Sequence, residues 1–282
     1  MNRSRGFTLI ELAIVLVVIT ILIGGLAMPL SAQIQARRIA ETKKLMEEAR
    51  EAIIGYAMGN TSPAMCSCTY SGGMFVTSSC SVALPCPSTD PTGTGTLTQN
   101  YSRHYLPCPD TDNDGKENRG LAGNPDACTA AVGLFPWVTL ATANQDAWGN
   151  RIRYAVAEDL ANKSIGFYSH PVPTGAWNQV MSGTTQCDPL NVDVAADVPV
   201  VMLSHGPNGR GARNISIPEG SATPATPAAI GVGELQNLGS LQAGCTARSF
   251  ISGPPSEAFD DLVMWISDGL LKSRVCPAGG CP

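Results

Sequence analysis

The sequence predicts an α+β protein. One long N-terminal helix, apolar enough in its first half to span a membrane, packs through its second half on a small antiparallel β-sheet that carries disulfide-rich loop insertions. Three observations predict this. Residues 7–30 are almost wholly apolar and run directly into an amphipathic stretch that ends near Gly59. Farther on, 151–156 alternates polar and apolar side chains, as a strand with one buried face does. All ten cysteines lie after residue 60, in a body rich in glycine and proline (29 and 21 in the chain), the composition of a loop-rich, β-containing fold.

As a helix, residues 7–30 reach about 36 Å, enough to cross a hydrocarbon core about 30 Å thick. Glu11 interrupts the apolar pattern near its start, where an unpaired carboxylate in lipid costs at least ~2.5 kcal/mol. A secretory signal peptide accounts for Arg3 and Arg5 and finds a weak cleavage site at Gly25-Leu26-Ala27, but the run is too long for one and contains Glu11. A plain membrane anchor explains the length and leaves Glu11 without a partner.

The string Arg3-Ser4-Arg5-Gly6-Phe7-Thr8-Leu9-Ile10-Glu11-Leu12 closely resembles the N-terminus of type IV pilins and type II secretion pseudopilins. The resemblance implies a pilin-like fold and a leader, residues 1–6, removed by prepilin peptidase between Gly6 and Phe7, with N-methylation at Phe7. It also implies that Glu11 pairs with the N-terminal ammonium of a neighbouring subunit during filament assembly. An acid and an amine inside lipid each relieve the other's desolvation. The implied placement is the bacterial inner membrane, single-pass, with the N-terminus cytoplasmic and the body periplasmic. The implied partners are the peptidase, other pilin or pseudopilin subunits and, before assembly, inner-membrane lipid.

Residues 31–58 continue the helix. Leu45, Ala49, Ile53, Tyr56 and Ala57 recur at spacings of three and four among charged residues, one amphipathic face. Gly24, Gly25 and Pro29 mark where the helix should bend or open, and Gly59-Asn60 with Pro63 beyond marks its end.

Residues 59–145 read as a loop-dominated Cys/Pro-rich insertion holding Cys66, Cys68, Cys80, Cys86, Cys108 and Cys128. A zinc site at Cys66-x-Cys68 would need further Cys or His at ligand spacing, and the chain has three His, so disulfides are the expectation here and for Cys187, Cys245, Cys276 and Cys281. That chemistry places the body in an oxidising compartment. In the same insertion Asp110, Asp112 and Asp114 alternate before Gly115, with Glu117 following, which resembles the first half of an EF-hand-type loop. Leu121 stands where such a loop carries its bidentate acid, with Glu117 or Asp126 as substitutes. Calcium at Asp110, Asp112, Asp114 and Glu117 is one reading, and a polar loop of Asx-turns tied to Cys108 is the other.

Residues 146–282 read as the β-sheet body, with a long loop over 205–250 and a C-terminal disulfide loop at Cys276 and Cys281. Within it 164–169 is the expected hairpin partner of 151–156, 198–204 a more buried strand, and 259–266 a last strand or short helix. Asp146-Ala147-Trp148-Gly149-Asn150 followed by Tyr154 resembles the D-P-W-G-N-x-x-x-Y stretch of the major pseudopilins, with alanine for proline. Ser204-His205-Gly206-Pro207-Asn208-Gly209 resembles their S-x-G-x-D-G loop, which in that subfamily helps bind calcium. Asn208 replaces the acid here and is not a ligand candidate. Tyr105, Trp137, Trp148 and Trp265 are expected in the core.

Charge does not suggest nucleic acid as a partner. The net charge is −5 with 18 Lys and Arg, and no basic block follows Ile39 apart from Lys43-Lys44, so there is no nucleic-acid signal. Catalysis has no support either. No Gly-x-Ser-x-Gly elbow is present, and adjacent Ser204 and His205 would point to opposite faces of a strand. The expected role is non-enzymatic: a minor pilin or pseudopilin of a type IV pilus or type II secretion pseudopilus. Cleavage after Gly6 leaves 276 residues, large for such a filament's main subunit. The rival role is a tip-located adhesin or ligand-binding subunit on the same anchor.

Overall fold

The computed structural model of the chain describes residues 8–80, 89–90, 93, 95–169, 177–182, 194–215, 231–239, 245–256 and 258–276, without the side chains of 22–30 and of some strand positions. It divides into two compact units, Met1–Glu41 and Thr42–Pro282.

Helix α1 is assigned without a break over Leu9–Gly59, through Gly24, Gly25 and Pro29. A proline removes one backbone donor, and the bonds on either side still carry the helix. At its end Asn60 donates both its N–H and its Nδ2 to the Tyr56 carbonyl, satisfying an acceptor that a helix terminus leaves open.

The elements after α1 follow in chain order. Strands β1 (Thr61–Ser71), β2 (Met74–Cys80) and β3 (Thr96–His104) form an antiparallel sheet ordered β2-β1-β3. Next come the hairpin β4 (Arg119–Leu121) and β5 (Asn124–Cys128), then β6 (Val132–Leu134), helix α2 (Trp137–Leu140), β7 (Arg153–Val156) and helix α3 (Glu158–Ala161). Strands β8 (Asn178–Met181), β9 (Ala195–Val198) and β10 (Val200–Ser204) precede helix α4 (Val232–Asn237). Strands β11 (Ser249–Ile251) and β12 (Leu262–Ile266) and helix α5 (Asp268–Val275) complete the chain. The central sheet is antiparallel and ordered β12-β10-β7-β6; a second sheet, β11-β8-β9, joins β11 to β8 in parallel.

Three expectations change. The stretch 59–145, read as loop, holds six strands, because polar and small residues take strand form where a partner strand satisfies their backbone. The hairpin partner expected at 164–169 is absent: Gly166–Ser169 forms a 3-10 turn. Asn162 Oδ1 accepts both the N–H and the hydroxyl of Ser164, an Asx-turn that curls the chain off the sheet, and β7 pairs with β10 and β6 instead. The stretch 205–250, read as loop, contains α4 and the start of β11. Residues 259–266, left between strand and helix, are resolved in favour of strand β12.

The core explains why β10 is apolar from Val200 to Leu203. Val200 and Met202 face one cluster with Tyr154 and Val156 of β7 and with Met46, Ala49, Ile53, Ile54 and Ala57 of α1. Val201 and Leu203 face the other side and pack with Val180, Val198 and Phe250 of the second sheet. A strand covered on both faces loses the polar alternation of a half-exposed one. The helical residues recur at three and four, the spacing that puts them on one stripe, and removing the Ile53 side chain beyond Cβ should cost about 2–5 kcal/mol.

Cys108–Cys128 is a disulfide between two buried residues, Cα to Cα 5.3 Å. Cys68, Cys245 and Cys276 are also disulfide-bonded. Cys86, Cys187 and Cys281 lie outside the described residues, as do the side chains of Cys66 and Cys80. Of the expected core aromatics, Tyr105 is buried and Trp137, Trp148 and Trp265 are half-buried; the fully buried tryptophan is Trp177, whose Nε1 donates to Asp159.

Candidate functional site

At the N-terminal unit, Gly6 and Phe7 lie outside the described residues. Glu11 occupies the first turn of α1. Its Oε2 accepts the Thr8 N–H at 2.9 Å and the Thr8 hydroxyl at 2.8 Å, while the Glu11 N–H donates to Thr8 Oγ1 at 3.4 Å. This is a capping box, legible as Thr8-x-x-Glu11 in the sequence and missed there. Within and beyond it the apolar side chains are exposed: Leu9 is 89% exposed, Ile10 70% and Ile21 69%. Among the described residues no helix is long and apolar enough to cross a membrane. Residues 9–21 reach only roughly 20 Å as a helix, and the side chains that would complete the expected span of 7–30 are not among those described.

In the body the structure divides the four expected calcium ligands. Oxygens of Asp110, Asp112 and Asp114 lie within 4.8 Å of one another. The loop is wound on Asp110, buried, whose Oδ1 accepts the N–H groups of Asp112 and Asn113 and whose Oδ2 accepts that of Gly115. Burial pushes the Asp110 carboxyl up, and those backbone donors pull it back.

Glu117 is engaged elsewhere. Oε1 accepts the Tyr56 hydroxyl and Arg119 Nε, each at 3.0 Å; Oε2 accepts the Cys108 N–H and Arg119 Nη2, each at 2.9 Å. Arg119 also donates to the carbonyls of Leu106, Asp126 and Ala161 and lies over the Tyr105 ring. Burial alone would lower the Arg119 pKa; the bonds and charge of Glu117 more than offset it. Burial first, and the Glu117 charge second, drive the Tyr56 hydroxyl far above its usual range. The group therefore clamps the C-terminal part of α1 to the insertion.

The two strings that resemble the major pseudopilins meet in space. Asp146 Oδ1 accepts the N–H groups of Trp148 and Asn150, and its Oδ2 accepts the Ser204 hydroxyl at 2.7 Å. Asn150 Nδ2 donates to the Gly206 carbonyl. Two glycines are required here: Gly149 turns at φ +86°, and a Cβ on Gly206, at φ +60°, would come within 2.3 Å of the Asp260 carbonyl oxygen.

A second acidic group borders that loop. Oxygens of Glu234, Asp260 and Asp261 lie within 4.8 Å of one another. Glu234, 1% exposed, accepts the Asn208 side-chain amide at 2.7 Å and the Asp260 N–H at 3.1 Å, while its Oε2 and Asp260 Oδ1 are buried without a hydrogen bond. Arg210 Nη1 stands 3.9 Å from Glu234 Oε2, and His205 Nδ1 stands 3.6 Å from Asp261 Oδ1. Burial pushes the Asp260 carboxyl up to about 7; the Asn208 N–H works against the shift and the Glu234 charge adds to it. Sequence reading missed this group because Glu234 lies far along the chain from the adjacent pair Asp260-Asp261 and no ligand spacing links them.

No curated protein and no solved structure matches the chain. Residues 1–27 match the model of the prokaryotic N-terminal methylation motif. That motif, inside which Thr8 and Glu11 cap an exposed apolar helix, supports a type IV pilin-like or pseudopilin-like prepilin and implies processing by prepilin peptidase.

Proposed function

We propose that the protein is a non-catalytic structural subunit, a minor pilin or pseudopilin, that assembles through α1 into a type IV pilus or type II secretion pseudopilus. The methylation motif at residues 1–27 carries this reading. Supporting it, the described side chains over 9–21 are exposed and, apart from Glu11 and Thr20, apolar. Before assembly residues 7–30 sit in the inner membrane with the body in the periplasm, and cleavage falls between Gly6 and Phe7. N-terminal sequencing of the mature protein tests this: a start at N-methylated Phe7 is expected, and a start at Met28 would mean a signal peptide and end the proposal. The Glu11→Ala variant should be processed and inserted normally yet fail to enter filaments; normal incorporation counts against the assembly role of Glu11.

Calcium at Asp110, Asp112 and Asp114 is a separate proposal, supported by the convergence of the three carboxylates. Glu117 is not part of it. Millimolar calcium should raise the melting temperature and EGTA reverse it, with Asp112→Ala abolishing the response; an EGTA-insensitive wild type means that the Asx-turns hold the loop alone. The rival reading, a ligand-binding subunit on the same anchor, is favoured by a cation-lined cavity in the body.

A further inference from the structure

A cavity of about 260 Å³ opens beside the edge strand β6, lined by Arg151, Arg153, Arg213, His205, Asp110 and Gly133 among others. Its charge is unbalanced. Elsewhere in the body arginines are matched with acids: Arg119 with Glu117 at 2.9 Å, Arg248 with Glu158 at 3.0 Å and Arg274 with Glu51 at 3.0 Å. None of the three cavity arginines makes an ion pair within 4.0 Å among the described residues. Asp110, the acid in the lining, directs its oxygens to three backbone N–H groups of its own loop.

The three guanidiniums are nonetheless held in place. Arg151 lies 3.8 Å from the centre of the Trp137 ring, with Nε donating to Asn113 Oδ1 and Nη1 to the Asn144 carbonyl, which leaves Nη2 uncommitted. Arg153 donates Nη1 to the Leu238 carbonyl, while its Nε is buried without a partner. Arg213 is half-buried, with no hydrogen bond or ion pair for its side chain among the described residues, and its backbone is fixed by accepting the Arg151 N–H. Burial lowers the Arg151 pKa, the Asp110 charge works against that, and the Arg213 charge adds a smaller lowering. Gathering unpaired cations in a partly buried site is unfavourable until an anion joins them. The guanidinium fork with free N–H groups is the side chain best matched to a carboxylate or phosphate.

We propose that this cavity binds a small oxyanion, the phosphate or carboxylate group of a soluble ligand, between Arg213 and Arg151, with Arg153 adding its charge from the floor. The volume of about 260 Å³ admits phosphate or a short dicarboxylic acid. The site is independent of the N-terminal segment, so it stands whether or not the filament reading does.

The test is calorimetric titration of the full chain in detergent, at low salt, with inorganic phosphate and separately with succinate, each to about 10 mM, a range that detects millimolar dissociation constants. Saturable binding of at least one anion is expected, weakened about tenfold or more in Arg213→Gln and unchanged in Arg248→Gln, whose guanidinium belongs to an ion pair outside the cavity. Phosphate alone saturating assigns a phosphate-bearing ligand, and succinate alone a carboxylate. If Arg213→Gln does not fold, Arg151→Lys takes its place, keeping the charge while losing the fork. No heat from either anion, equal binding by the wild type and the cavity variant, or capture only of an acidic protein segment would each overturn the proposal.

Discussion

Replacing Glu117 with alanine should be among the most destabilising single changes in the body. The substitution removes an acceptor that serves four donors, two from Arg119, the Tyr56 hydroxyl and the Cys108 N–H. Its partner Arg119 has a side chain only 10% exposed. Breaking a buried pair from one side costs about 3–5 kcal/mol, because the remaining charge is left uncompensated. Here three carbonyls still receive Arg119, which places the expected loss near the lower end, about 3 kcal/mol. For a body of this size that is a fall in melting temperature of about 6–12 °C. Tyr56→Phe, which withdraws one donor and leaves Glu117 with Arg119, should lose only about 1 kcal/mol. Denaturation of the full chain under non-reducing conditions, followed by near-ultraviolet dichroism, measures both, and the double variant gives their coupling. The loss in Glu117→Ala should be the same in calcium and in EGTA. A loss below about 1 kcal/mol, or one that appears only in calcium, would refute the clamp and return Glu117 to the acidic loop.

Two other outcomes follow from the body's chemistry. Asp260 has a folded-state pKa near 7 against an ordinary 3.8, so folding takes up a proton. Stability from this group is complete below about pH 4 and is lost as the pH rises through 7. With cations chelated, the melting temperature should fall between pH 5 and pH 8, and Asp260→Asn should flatten that fall; an unchanged profile in the variant would show that Asp260 is not its source. The Cys108–Cys128 bridge closes a separation of 20 residues, worth about 3 kcal/mol through the unfolded chain, so the paired serine variant should unfold at clearly lower denaturant, and an unshifted midpoint would show that the core alone holds these segments.

What could be read from the sequence depended on whether the cause was local. The end of α1 is written in spacings of three and four and β7 in an alternation, whereas β10 shows as a continuous apolar run because both of its faces are covered. The disulfide at Cys108 and Cys128 followed from compartment chemistry, although its pairing did not. The sheet β2-β1-β3 left no such trace: Ser, Thr, Gln and Asn fill much of it, and only its register, Cys68 opposite Leu97 and Ser78, makes it a sheet. The functional groups divide in the same way. Thr8 and Glu11 are three residues apart and their capping box was legible. Glu234 and Asp260 are joined only by the fold, as are Asp146 and Ser204, so neither contact could be read before the backbone was in place.

The capping box also alters the problem posed by Glu11. A carboxylate at the start of an apolar helix looked wholly unpaired in the sequence. In the folded chain one oxygen, Oε2, takes both Thr8 bonds, and Oε1 has no hydrogen bond among the described residues. The local cap therefore supplies half of what an anion leaving water requires. It also fixes the rotamer, so the second oxygen is presented rather than mobile. An amine arriving from a neighbouring subunit, as proposed, would find that oxygen already oriented and would not have to displace Thr8. The intrachain and intersubunit partners are thus compatible on one carboxylate. On that proposal Thr8 acts by positioning, and the intersubunit amine meets Oε1.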